Sequence, residues 1–134
     1  MGRRILLDTH ALLFALYEPE RLSKSAVALI ANGDNQLYVS SASAWEIATK
    51  HRLCKLEFPY LDVQALLLQY GEHLKELGAL DLPITSSHAI LAGSFEASHK
   101  DPFDRILAAQ ARLENLSVIS KDRALDAFGV RRLW

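Results

Sequence analysis

Four acidic residues far apart along the chain, Asp8, Glu46, Asp104 and Asp122, each lie next to an expected strand end or helix start. Crowding such groups into one pocket is unfavourable, because each carboxylate raises the cost of ionising the next. A divalent cation removes that cost. The candidate ligands are oxygens alone, without a cysteine cluster or a paired-histidine spacing, so the fitting ion is hard, Mg²⁺ or Mn²⁺. Such an ion keeps part of its water shell and takes further oxygens from a phosphate. The matching chemistry is phosphodiester hydrolysis. The ion lowers the pKa of an attacking water and neutralises charge on the transition state, and a second ion could assist the leaving oxygen.

Those acids need elements to hold them. Asp101-Pro102 is a helix-start signature, with Asp accepting free first-turn amides and proline filling the first helical position without wasting a donor. Phe103, Ile106, Leu107 and Ala111 then recur at helical spacing, so Asp104 sits in the first turn of a core-packed helix. Arg3 to Asp8 reads as a buried strand closed by an acid, and Thr9 to Tyr17 as the helix after it. A second helix from Ser23 or Ser25 to Ile30 leads to a strand at Leu37-Tyr38-Val39, and Ser43-Ala44-Trp45-Glu46 opens a third helix towards Leu53. Asp62 to Leu77 reads as further helix with a break at Gly71, Leu80 to Ile84 as a weaker strand, and Thr85 or Ser86 caps a helix through Ala92. Ser117 to Ser120 is a buried strand, Arg123 to Phe128 a short helix closed by Gly129, and Val130 to Trp134 a last strand.

Alternating strands and helices imply a parallel sheet of about five strands, covered by helices on both faces. Sites in that architecture collect at the carboxyl ends of the strands, where these four acids are expected. With 134 residues, half of them hydrophobic, and no linker-like tract, residues 1–134 are expected to form one domain. No apolar run reaches membrane-spanning length and the N-terminus lacks a signal-peptide pattern, which predicts a cytoplasmic protein with no membrane partner. The lone Cys54 excludes an internal disulfide framework and reads as a small helix residue. A net charge of −1 gives no global drive towards nucleic acid, so any such binding must rest on local cations and the ion.

Leu6-Leu7-Asp8-Thr9, Ser43-Ala44-Trp45-Glu46-Ile47, Asp101-Pro102-Phe103-Asp104-Arg105 and Ile119-Ser120-Lys121-Asp122-Arg123, in this order, resemble the PIN-domain nucleases and more closely the VapC-type toxins. The resemblance spans essentially the whole chain. It implies a PIN-like three-layer α/β/α sandwich and a Mg²⁺- or Mn²⁺-dependent endoribonuclease that is a homodimer silenced by a cognate antitoxin. Carried over residue by residue, it makes Asp8, Glu46, Asp104 and Asp122 the catalytic metal ligands and leaves Asp101 as the cap. Thr9 and Ser120 then orient Asp8 and Asp122.

Each position also has a plainer reading. Asp8 and Asp122 can cap the helices that follow them, Ser43 and Glu46 fit an S-x-x-E capping box, and Asp104 can merely favour a helix dipole. Arg105, Lys121 and Arg123 flank the site and are candidates for RNA phosphate contacts. Lys50, His51, Arg52 and Lys55 are better explained by a helix C-terminus. His10, His88 and His99 read as structural, Trp45 and Trp134 as core anchors, and the leucines between 61 and 77 as core with any exposed excess marking a dimer or antitoxin surface. A phosphotransfer receiver would want a second acid beside Asp8, which Thr9-His10 does not supply. A DNA or structure-specific nuclease, or a non-catalytic binding module, remains as an alternative.

Overall fold

A computed structural model describes residues 2–58 and 61–134. Its centre is a parallel five-stranded sheet in the order β3-β2-β1-β4-β5, with β1 at Arg4–Leu7, β2 at Gln36–Ser40, β3 at Ala79–Leu82, β4 at Ser117–Ile119 and β5 at Arg132–Leu133. Ile5, Leu6 and Leu7 are all fully buried, which consecutive residues of a strand achieve only when both sheet faces are covered. Ile5 and Leu7 pack with Leu37, Val39 and Ile119 under α1 (Thr9–Tyr17), α2 (Lys24–Ala31), α4 (Val63–Leu68) and α5 (Tyr70–Leu77). Leu6 and Val118 face the other way, against Leu107, Ala108 and Ala111 of α7 (Pro102–Leu113). Each of the large apolar side chains buried this way contributes about 1.5–3 kcal/mol. The three layers and parallel strands match the expected α/β sandwich.

Differences from the sequence reading are local. The helical stretch after Asp62 breaks at Gln69, not Gly71, because Asp62 caps a first short helix and Gln69 leaves helical geometry. Gly71 lies in the first turn of α5. The third helix, α3 (Ser41–Arg52), starts two residues early: Ser40 is its cap, and the Ser40 side-chain oxygen accepts the Ala42 N–H. That displaces the Ser43–Glu46 capping box, and both residues lie buried inside the helix. α6 (Ser86–Ser94) runs two residues past Ala92, capped by Thr85. Trp45 is 54% exposed and is not a core anchor, although its ring stands edge-on to Phe103 at 4.6 Å. Cys54 is exposed beyond the end of α3, with φ 56.

The sheet order places a topological switch between β1 and β4. Chain excursions from these two neighbours go to opposite sides, and the carboxyl edge there opens into a crevice. β1 is followed by Asp8 and β4 by Ser120, Lys121 and Asp122. α3 leaves the same edge after β2, and α7, which feeds β4, begins there because a crossover helix runs against its strands.

Candidate metal centre

Asp8 is the N-cap of α1, 6% exposed, and its Oδ1 accepts the Ala11 N–H at 2.7 Å. Burial pushes its carboxyl above the ordinary range. A hydrogen bond from the Ser120 side chain, the Ala11 amide and nearby His10 act against that rise, and Glu46 adds to it. Capping and participation in the acidic site are therefore compatible here, since the cap uses one oxygen.

Glu46 is 4% exposed and has both oxygens held. The Thr9 hydroxyl donates to Oε1 and the Lys50 ammonium to Oε2. Ser43 lies 3.0 Å from the Thr9 hydroxyl and closes the small buried group. Thr9 thus orients Glu46, not Asp8. Ser120 serves two residues: its side chain helps to hold the Asp8 carboxyl down against burial, and its Oγ accepts the Asp122 N–H at 3.0 Å.

Asp101 caps α7, accepting from the amides of Phe103 at 2.9 Å and Asp104 at 3.4 Å. Asp104 is freed by this arrangement to face the crevice, where its Oδ2 meets His99 Nε2 at 2.8 Å. Burial pushes the Asp104 carboxyl up to about 6; the His99 bond lowers it, and Asp101, Asp122 and Glu46 raise it further. Asp122 caps the 3₁₀ turn Arg123–Phe128 through the Ala124 N–H at 2.9 Å. Ligand atoms of His99, Asp104 and Asp122 all lie within 4.8 Å of one another.

Charge links the wider set, Asp8 with Glu46 and Asp104 with Glu46 and Asp122, while among the described residues the compact group of ligand atoms takes in Asp104 and Asp122 with His99 and leaves Asp8 and Glu46 outside it. Lys50 answers part of that charge. Burial works to lower the pKa of its ammonium, but the bond and charge of Glu46, with Asp101 and Asp104, outweigh burial and hold it above the usual value. Burial first, and the neighbouring acids after it, drive the Asp104 carboxyl towards neutrality, and a carboxylate-rich donor set with one imidazole fits a divalent cation of the Mg²⁺/Mn²⁺ kind.

Two residues that read from the sequence as structural, Lys50 and His99, stand at the site itself. Lys50 carried a usable signal, since it lies four residues after Glu46 on the same helix face. His99 carried none, because the loop before α7 must fold back for it to reach Asp104. Arg105 has a different occupation from the expected phosphate contact. Its guanidinium donates to the carbonyls of Ala92, Phe95, Ala97 and His99, which commits four of its five N–H groups and ties that loop down. Lys121 and Arg123 are exposed at the rim of the crevice. His88 is buried, its Nδ1 accepting the Thr85 N–H and its Nε2 meeting Glu114 at 2.9 Å, a structural clamp between α6 and α7.

Comparison with known proteins places the chain in a family. The PIN-domain profile matches residues 5–130. Ribonuclease VapC22 of Mycobacterium tuberculosis is 33% identical over 124 residues, covering 90% of this chain and 88% of that protein. Among solved structures, VapBC2 from Rickettsia felis, bound to a DNA fragment from its promoter, superposes with a TM-score of 0.64 at 13% identity, covering 97% of both chains. FitAcB from Neisseria gonorrhoeae superposes with a TM-score of 0.63 at 20% identity, covering 97% of this chain and 96% of the other. Among the described residues no helix is long and apolar enough to cross a membrane. The matched span, the sheet order and the relative of 33% identity agree: the chain belongs to the PIN-domain family, among its VapC-type members.

Proposed function

We propose that this chain is a divalent-cation-dependent endoribonuclease, the toxin of a type II toxin-antitoxin pair, hydrolysing RNA phosphodiester bonds. The observation that carries this reading is the cluster of His99, Asp104 and Asp122 at the carboxyl edge, with Asp8 lining one cavity with Asp122, in a chain 33% identical to a ribonuclease. The carboxylates of Asp8, Glu46, Asp104 and Asp122 are those that would hold Mg²⁺ or Mn²⁺, with His99 beside them. When bound, the ion supplies charge neutralisation at the scissile phosphate and eases ionisation of the attacking water.

The chain's own part is positioning. Thr9 and Lys50 fix both oxygens of Glu46, Ser120 and the Ala11 amide fix Asp8, and the Asp101 cap fixes the helix start that carries Asp104. Between Asp104 Oδ2 and His99 Nε2 there is a place to hold a proton close to neutral pH. A homodimer and a cognate antitoxin complete the proposal. The VapBC2 and FitAcB likenesses support the fold that such complexes use. Leu68, 87% exposed on α4, is the apolar excess in the 61–77 stretch that a protein partner would cover.

Cleavage of structured RNAs by wild type and Asp8→Asn, with and without EDTA, tests the reading. Asn keeps the oxygen that accepts the Ala11 N–H, so the fold is retained while the charge is lost. Wild-type cleavage should vanish with EDTA, and the variant should lose on the order of a thousandfold in kcat, about 4 kcal/mol of barrier. Equal cleavage by both proteins would end the proposal, and equal wild-type cleavage of matched DNA would replace RNA by nucleic acid in general.

A further inference from the structure

Beside the acids, the carboxyl edge carries a second cavity of about 470 Å³ walled by Lys121, Arg123, Arg132 and Trp134. Resting on the ribonuclease reading above, we propose that it holds the nucleotide next to the cleaved phosphate. The base lies against the Trp134 indole, and the adjoining phosphate sits on Lys121 and Arg123.

Three observations support this. The first is position. Lys121 lines this cavity and also a neighbouring one bounded by Asp8, His10, Phe14, Arg21 and Asp122, so one side chain stands between the acids and the basic pocket. Ser120 stands between the same two sites: its Oγ accepts the Asp122 N–H at 3.0 Å, while its carbonyl accepts from Arg132 Nη1 at 3.2 Å. A strand whose phosphate lies at the acids therefore passes over Lys121 to enter the pocket.

The second is charge. Arg132 is largely committed, held by Asp126 at 2.9 Å and by Ser120, and so forms a fixed wall. Among the described residues neither Lys121 nor Arg123 has an ion-pair partner, and the acids nearest them in sequence, Asp122 and Asp126, face the acidic site and Arg132 respectively. Two uncommitted cations on an otherwise near-neutral chain are a local anion site, not part of a general basic surface.

The third is the aromatic wall. β5 pairs with β4 in the register Ile119↔Leu133, and the Ser120 N–H donates to the Leu133 carbonyl at 3.1 Å, so Trp134 follows directly beside Ser120. Trp134 is half-buried. It packs on the core together with Leu133 and also lines the pocket, so the aromatic side chain available for stacking is already held in place. The volume lies in the usual range for a small-ligand site.

The test is binding, kept apart from catalysis. A fluorescein-labelled eight-nucleotide single-stranded RNA of mixed sequence is titrated by anisotropy in EDTA, with thermal melts confirming folding. Lys121→Ala/Arg123→Ala should weaken binding about tenfold and flatten the dependence of log affinity on log salt by roughly 0.7 for each phosphate left without its cation. Trp134→Leu should weaken it by between about fivefold and a hundredfold at an unchanged salt slope, and Trp134→Phe should recover most of the loss. A separate route avoids any folding penalty: in a Trp45→Phe protein Trp134 is the sole tryptophan, and the unlabelled RNA should quench its emission to saturation. An unchanged salt slope in the double variant, or no quenching of Trp134, overturns the pocket. Wild-type RNA cleavage with Mn²⁺, run alongside, reports separately on the ribonuclease reading.

Discussion

The two halves of the acidic site are built on different principles. On the β1/α3 side, Glu46 has a hydroxyl on one oxygen and an ammonium on the other, and Asp8 has an amide and the Ser120 side chain. On the α7/β4 side, Asp104 has one imidazole against its own burial and the charges of Asp101, Asp122 and Glu46, and burial above all pushes its carboxyl up to about 6. The first half is braced by the chain itself. The second is left with unbalanced anionic charge that an external cation would neutralise, so ion binding and local stability should be coupled most strongly through Asp104.

Removing the brace should produce the largest change. In Lys50→Met the buried Glu46 carboxylate loses its ammonium partner and keeps only Thr9, which should cost about 2–3 kcal/mol in the absence of divalent ions. Mn²⁺ should then restore more stability to the variant than to wild type, because the braced half has been made to resemble the other. Urea melts at pH 7.5 with EDTA or with Mn²⁺ measure both quantities. Equal ion-induced shifts in the two proteins would show that the halves do not differ in this way.

The unbraced half can be relieved instead of broken. A carboxyl titrating at about 6 in the folded protein and near 3.9 unfolded binds more protons folded than unfolded between those values. Stability therefore falls as pH rises from about 4 to about 6, and the deficit persists above. The shift of roughly two units corresponds to about 3 kcal/mol, and screening at the partly exposed side chain brings the expected figure to about 1–2 kcal/mol. Asp104→Asn should accordingly be more stable than wild type by that amount at pH 7.5, match it near pH 4, and lose RNA cleavage. Melts across this range provide the check, and a variant less stable than wild type at pH 7.5 would contradict the surplus-charge account.

The same contrast explains what the sequence could reveal. Sheet and helices were readable because Ile5-Leu6-Leu7 and Val118-Ile119 are short apolar runs closed by polar residues, and because Asp101-Pro102 marks a helix start from local chemistry alone. The positions of the four acids followed from strand ends. Their partners did not, since Thr9 could as easily have served Asp8 as Glu46, and only the packing of α1 against α3 decides it. Arg105 shows the limit most clearly. A cation beside an acid motif suggests a phosphate contact, but three carbonyls of a loop without regular structure, and that of Ala92 in the last turn of α6, needed donors, and that demand depends on the loop's path.

The smallest expected effect separates capping from ion binding at Asp101, which borders the unbraced half without belonging to it. Its Oδ1 accepts two α7 amides, so Asp101→Ala should lose about 1 kcal/mol, the usual worth of an N-cap. Asp101→Asn keeps an accepting oxygen and removes only the charge. Because that charge helps to raise the Asp104 carboxyl, the Asn variant should titrate Asp104 at a lower pH and be slightly more stable than wild type at pH 7.5. Its stabilisation by Mn²⁺ should be nearly that of wild type, since no ligand has been removed. If Asp101→Asn instead abolished that stabilisation, Asp101 would be a ligand, and the α7 start would supply two carboxylates to the ion in place of one.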